Sequence, residues 1–240
     1  MPATPDMPWQ ELPEMKPFLP GGRLVDAKGE QREVHSASTS NNLTVLQHWF
    51  QKLQPVRTLE IGLAFGASAT LLLALHRRVG HTGVCHHAVD PFQRTDWNGC
   101  ALRHIGTQGL ADLFAHHEAL SCFALPKLHE TGERFGFIYI DGSHLFEDVM
   151  IDFYFSNLLL EIGGVIAFDD SACGHVKKVI AFIRSNWSAS YSELSPYEVT
   201  APRWPRLKQT VARWTNRQQL TLFQKVEAPK RDWNTEFGDF

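Results

Sequence analysis

The sequence predicts an α/β fold: a doubly wound, mostly parallel seven-stranded sheet with helices on both faces. Three observations predict it. Short apolar runs bounded by Pro, Gly or Asp alternate at least four times with longer segments whose apolar residues recur at helical spacing. The first run lies in TLEIGLAFGASAT, residues 58–70, and turns through Gly62 and Gly66 into a long apolar segment. A strand, a glycine turn and a helix form the first half of a nucleotide-binding βαβ unit. Later runs end on aspartate, at Asp90, at Asp141 and at the pair Asp169-Asp170.

Composition sets the frame. The chain has 240 residues, 43% apolar and 20% charged, with a net charge of −3. These are values of an ordinary globular protein, with no excess of positive charge for nucleic acid. No run approaches the ~18 apolar residues of a membrane span, and MPATPDMPWQ has neither the basic start nor the apolar core of a secretory signal. The four cysteines, Cys85, Cys100, Cys122 and Cys173, show no C-x-x-C pairing. That fits free, buried thiols in a reducing cytoplasm.

Residues 1–38 carry six prolines and then Gly21-Gly22, which predicts an extended N-terminal arm with little regular structure. Its Trp9, Phe18 and Leu19 can pack on the domain or cover a site. A helix starts at Ser40 or Asn41, both good caps, runs through Leu43, Leu46, Phe50 and Leu53, and stops at Pro55. Leu59–Ile61 is a buried strand, and Ala67–Val79 a helix apolar on most faces. Val84–Val89 is the second strand, ending at Asp90-Pro91, and 91–100 is a polar loop with Trp97. Cys100–Leu110 reads as a helix, Leu113–Glu118 as a strand and Ser121–His129 as a helix. Phe137–Ile140 is a strand ending at Asp141. Phe146, Val149, Met150 and Phe153 mark a helix to about Leu160, which Gly163-Gly164 closes. Val165–Phe168 is the next strand, and Val176, Val179, Ile180 and Ile183 mark the last helix. Tyr191–Leu194 and Leu220–Val226 supply the final strands. Between them 196–217 holds Arg203, Arg206, Lys208, Arg213 and Arg217 with Trp204 and Trp214, read as a solvated surface. The tail after Glu227 reads as disordered. The domain thus spans 39–226, with 1–38 as an extension and 227–240 as a tail.

The chemistry follows from where the runs end. Glycines let the backbone turn sharply beside a ligand, and the open N–H groups of a helix start favour an anion. The pattern here is Glu60-x-Gly62-x-x-x-Gly66 with Ala64 inside it, so the dinucleotide pattern G-x-G-x-x-G is missing and a nicotinamide enzyme is disfavoured. Asp90, at the end of the second strand, is placed to accept bonds from ribose hydroxyls. Asp141, Asp169 and Asp170 end parallel strands, which terminate on one side of a sheet, so they are expected to converge. Clustered carboxylates repel unless neutralised. A hard divalent cation fits, Mg²⁺ first, and it would make a substrate hydroxyl more acidic. His144, three residues after Asp141, is a candidate general base, because imidazole exchanges protons near neutral pH. The other eleven histidines show no metal-ligand spacing.

The blocks LEIGLAFGASA, AVDPF, FIYIDGSH and GGVIAFDD resemble class I S-adenosylmethionine (AdoMet)-dependent methyltransferases. They are most similar to the branch with an IDGSH block and a DD pair, which includes macrocin-type sugar O-methyltransferases and cephalosporin-hydroxylase-like proteins. EIGLAFGASA is also similar to the first motif of catechol O-methyltransferases. The resemblance covers about residues 40–185 and implies a Rossmann-like fold. It implies that Glu60, Gly62, Ala64 and Gly66 shape the AdoMet pocket, that Ser68 bonds the methionine carboxylate and that Asp90 holds the ribose. Ser121 would lie near the adenine. Asp141 would sit by the cofactor's amino group and, with Asp169 and Asp170, ligate the metal. His144 falls where the catechol enzymes place a lysine. The expected activity is methyl transfer to a hydroxyl of a small molecule (a phenol, sugar or natural product) with Mg²⁺ or another divalent cation. A metal-independent N-methyltransferase and a non-catalytic AdoMet- or nucleotide-binding module are the alternatives. Fold-level analogy adds the expectation of a homodimer, with neither nucleic acid nor membrane as partner.

Overall fold

The computed structural model describes residues 7–35, 37–196, 219–230 and 232–240. The chain divides into two compact units, one up to Leu120 and one from Ser121. They contribute three and four strands to a mostly parallel seven-stranded sheet, the Rossmann-like class that the sequence predicts.

In the first unit the N-terminal arm is more regular than its prolines suggest. Two 3₁₀ turns, Trp9–Glu11 and Pro13–Phe18, precede an antiparallel hairpin of β1 (Arg23–Val25) and β2 (Gln31–Glu33). Proline's fixed φ suits the first position of a turn, and Pro13 occupies it. Trp9, Leu12, Met15 and Leu24 are buried. Trp9 Nε1 donates to Thr44 Oγ1 at 3.1 Å, and its N–H to Gln47 Oε1 at 2.9 Å. Helix α1 (Ser40–Leu53) is capped by Thr39, one residue before the expected start, whose Oγ1 accepts from the Asn42 N–H at 3.2 Å. Strand β3 (Thr58–Ile61) leads into α2 (Ala67–Arg78), then β4 (His86–Val89), α3 (Cys100–Thr107) and β5 (Phe114–His117). The strands run parallel in the order β5-β4-β3, with Glu60 opposite Ala88 and Ala88 opposite His116. Ala69 and Leu73 of α2 pack with Ala88, Ala101 and Ile105 to form this unit's core.

The second unit holds α4 (Ser121–Glu130), β6 (Phe135–Ile140), α5 (Phe146–Leu159), β7 (Leu160–Phe168), α6 (Gly174–Asn186), β8 (Tyr191–Leu194) and β9 (Thr221–Lys225). Its strand order is β6-β7-β9-β8, with β6 and β7 parallel and β9 antiparallel to both neighbours. Gly163-Gly164 does not close α5. Both glycines lie inside β7, where the pairing shifts from Phe135↔Leu160 to Phe137↔Val165. A Cβ on Gly164 would meet the Gly136 carbonyl oxygen at 2.9 Å, so the pair marks a bulge with close backbone approach. The tail is also ordered against α6. Asn186 Nδ2 donates to the Gly238 carbonyl at 2.9 Å, and the rings of Phe237 and Phe240 pack on Phe182. The basic stretch from Arg203 to Arg217 lies outside the described residues.

Candidate active site

Each unit carries one part of the expected chemistry. In the first, β3 ends at Ile61 and the chain turns through Gly62 (φ 91°), Ala64 (φ 45°) and Gly66 (φ 79°) before α2 begins. Gly66 is required twice. Its φ is left-handed, and a Cβ there would meet Ala101 Cβ at 2.8 Å. Ala64 takes a left-handed conformation without being glycine, and it is held from both sides. Its N–H donates to Asp90 Oδ2 at 3.0 Å, and its carbonyl accepts from Gln93 Nε2 at 2.8 Å.

Asp90 is the pin of this loop. Its Oδ2 also accepts from the Leu63 N–H at 2.9 Å and from Gln93 Nε2 at 3.2 Å, and its Oδ1 from the Phe92 N–H at 2.7 Å. A buried carboxylate needs such bonds to offset lost hydration. Oδ1, with one of these bonds against three on Oδ2, retains a lone pair for a further donor. Sequence reasoning missed this loop-pinning role and missed Gln93 altogether. Gln93 is fully buried, and its Oε1 has no hydrogen-bond partner among the described residues. The only signal in the sequence was its position three residues past Asp90. Glu60 is fully buried within β3, and Ser68 is buried in the first turn of α2.

In the second unit, Asp141, His144 and Asp170 offer one ligand atom each within 4.8 Å of one another. Asp141 follows β6, His144 sits in the turn before α5, and Asp170 lies in the turn after β7. Asp170 has φ 44°, a left-handed backbone that aspartate tolerates better than most residues. His144 Nε2 is 2.9 Å from Asp170 Oδ2, with both side chains part-exposed. Asp169 is used differently. It is buried, its Oδ2 accepts from the Tyr139 hydroxyl, and its Oδ1 accepts from the Asp170 N–H at 2.7 Å. Of the three aspartates expected to act together, Asp141 and Asp170 are thus grouped with His144, while Asp169 braces the turn. Tyr139, unremarked in the sequence, is the other brace. Ser121 opens α4 and its side chain is hydrogen-bonded to Asp152 of α5.

Residues 59–171, containing the glycine loop and all four of these acidic and histidine positions, match a family model described as a methyltransferase domain. Over this segment the chain is similar to methyltransferase domains, in keeping with the resemblance to the AdoMet-dependent class that the sequence blocks carry. No curated protein matches the sequence. Among solved structures, an O-methyltransferase from Bacillus cereus in complex with SAH is similar at 18% identity and a TM-score of 0.57, covering 67% of this chain and 76% of that one. The O-methyltransferase TomG from Streptomyces achromogenes, in complex with SAM, is similar at 17% identity and 0.58, covering 80% and 82%. The cofactor-bound protein Rv0187 from MTB is similar at 16% identity and 0.60, covering 81% and 84%. At these identities the likeness concerns the fold of the methyltransferase domain.

Proposed function

We propose that this methyltransferase domain moves the methyl group of AdoMet to a hydroxyl oxygen of a small molecule, with a divalent cation assisting. The observation that carries the reading is the grouping of Asp141, His144 and Asp170 at strand ends of a methyltransferase domain. AdoMet, when bound, supplies an electrophilic methyl group on a sulfonium. The residues of the first unit fit it by their chemistry: Ser68 and the α2 N-terminus offer donors for a carboxylate, Asp90 Oδ1 offers an acceptor for a ribose hydroxyl, and Glu60, Gly62, Ala64 and Gly66 shape the turn. In the second unit Ser121 is assigned to the adenine and Asp141 to the amino group.

Since the methyl group arrives activated, the chain's work is to orient the acceptor and remove its proton. With Nε2–H donating to Asp170, the His144 base form presents Nδ1 as a lone pair. The hydroxyl proton passes to His144 Nδ1, and Asp170 stabilises the imidazolium, the logic by which a carboxylate orients a catalytic imidazole. Two carboxylates and one imidazole also suit a divalent cation, Mg²⁺ or a softer ion such as Mn²⁺, held by Asp141 and Asp170. When bound, it makes a hydroxyl that it touches more acidic. The His144–Asp170 contact favours one second reading, a cation-independent base that serves a hydroxyl or an amine.

The test is calorimetric titration with AdoMet and S-adenosylhomocysteine, in EDTA or in Mg²⁺, followed by mass analysis of phenol and sugar acceptors. Binding of order micromolar Kd, and methylated acceptor formed only with the cation, are expected. Transfer that survives EDTA but not His144→Ala selects the second reading. No cofactor binding in either buffer overturns both.

A further inference from the structure

We propose that His76, His81 and Cys85 form a zinc site in the first unit, at the junction of α2 and β4. Their ligand atoms all lie within 4.8 Å of one another. The spacing is unremarkable in sequence, because the three residues belong to a helix end, a turn and a strand start. The turn makes the cluster. Gly80 (φ 82°) and Gly83 (φ 69°) reverse the chain after α2, and the His81 N–H returns to the His76 carbonyl at 3.1 Å. His81 Nδ1 then faces His76 Nδ1 at 2.7 Å. Cys85, buried just before β4, closes the triangle.

The surroundings prepare His76 as a ligand. Its Nε2 lies 2.8 Å from Thr58 Oγ1, which lies 2.8 Å from His86 Nδ1. The Thr58 hydroxyl has two acceptor lone pairs and one proton, so at least one of the two rings donates to it. With His76 Nε2–H donating, the proton of Thr58 goes to His86, and His76 Nδ1 is a lone pair aimed at His81. That is the outer-shell arrangement of a metal-bound histidine, whose second nitrogen donates to a fixed acceptor. Phe50 packs edge-on against the His76 ring at 4.7 Å and fixes its plane.

Burial acts on both His76 and Cys85 in the absence of a cation. Burial holds His76 down to about 3, so its imidazole stays neutral and available. Burial pushes the Cys85 thiol up to about 11, with Asp112 acting the same way and Arg57 against it. Without a cation the thiol is therefore intact, its S–H directed at the Leu113 carbonyl 3.6 Å away. Coordination replaces that proton, which leaves to solvent, with the cation. Two imidazoles and one thiolate make a borderline-soft set that favours Zn²⁺ over Mg²⁺ or Ca²⁺. Tetrahedral bonds of ~2.05 Å place two nitrogens about 3.3 Å apart. His81, part-exposed on its glycine turn, supplies that movement. Water takes the fourth position, and the cation staples the end of α2 to the start of β4.

The experiment uses tag-free, chelator-dialysed full-length protein carrying His144→Ala and Asp170→Ala, so that the acidic cluster cannot bind the ion. Zn²⁺ is titrated against a chromophoric chelator, and Co²⁺ is added in parallel as a spectroscopic probe. One tightly held equivalent of Zn²⁺, a higher Tm with it, and a thiolate-to-cobalt charge-transfer band are expected. Cys85→Ser should abolish the band and, like His81→Ala, weaken Zn²⁺ by at least about 100-fold, the upper end of the loss seen when only an outer-shell partner is removed. A parent protein that binds no equivalent, or binds one without the cobalt–thiolate band, overturns the site even if neither variant folds. Unchanged affinity in Cys85→Ser does the same.

Discussion

Asp152 shows how one buried side chain gives the whole protein a pH term. It lies on the inner face of α5 with the Ser121 side chain as hydrogen-bond partner, and its Oδ1 has none among the described residues. Burial raises its carboxyl from 3.8 to about 7, Ser121 opposes this, and the Asp148 charge adds to it. The folded state therefore binds a proton that the unfolded chain releases near 4, so stability falls as pH rises from that value to about 7 and is level on either side. Asp152→Asn removes the penalty. In chemical denaturation at pH 8 the variant should exceed the parent by roughly 2–4 kcal/mol, at ~1.4 kcal/mol per unit. The gap should shrink by more than half at pH 5. A gap that does not change with pH would refute burial as the cause. Asp90 is the contrasting residue: equally buried, yet bonded by three backbone N–H groups and an amide.

Among the elements, the N-terminal 3₁₀ turns are held by one acid. Glu14 is buried, paired with Arg77 and Arg78 at the end of α2, while His104 Nε2 donates to its carbonyl at 2.9 Å. Burial would raise the Glu14 carboxyl, but the Arg78 hydrogen bond and charge, with Arg77, carry it below its ordinary range. The pairing thus stabilises above the unfolded carboxylate pKa and is lost as pH falls through the lowered folded value. Both arginines are partly solvated, so Glu14→Ala should cost only about 1–2 kcal/mol at neutral pH, a fall in Tm of roughly 2–8 °C. An unchanged Tm would show that the apolar contacts of Trp9, Leu12 and Met15 alone hold the arm. These turns mark the limit of what the sequence made legible. Helices with clear periodicity, such as Leu43–Leu53 and Val176–Ile183, were readable because burial repeats at helical spacing. Prolines in the arm and Gly163-Gly164 were misread because the same residues that break helices also start 3₁₀ turns and make bulges. Asp141 and Asp170 were legible as strand-end acids. The bracing of Asp169 by Tyr139, the pinning of Ala64 by Asp90 and the gathering of His76, His81 and Cys85 depend on partners brought together by folding, and no local pattern encodes them.

At the scale of the whole molecule, the proposed activity distributes its work between the two units. The loop pinned by Asp90 belongs to residues up to Leu120, and the Asp141–His144–Asp170 group to residues from Ser121. A ligand that binds only the folded protein raises its stability by mass action, about 2.7 kcal/mol at 100 times Kd. For a chain of this size that is a Tm rise of about 5–10 °C. S-adenosylhomocysteine at that concentration should produce such a rise in the parent protein. Asp90→Ala should lose most of it, since on the proposed reading the substitution removes a ribose acceptor, and it frees the loop between β3 and α2. His144→Ala with Asp170→Ala should keep nearly all of it while losing methyl transfer, because the proposed reading assigns these residues to the acceptor's proton and the cation. Thermal unfolding of the three proteins with and without the ligand decides the matter. Equal shifts in the parent and Asp90→Ala would remove Asp90 from the cofactor site. Loss of the shift in the double variant would mean that the acidic group holds the cofactor itself.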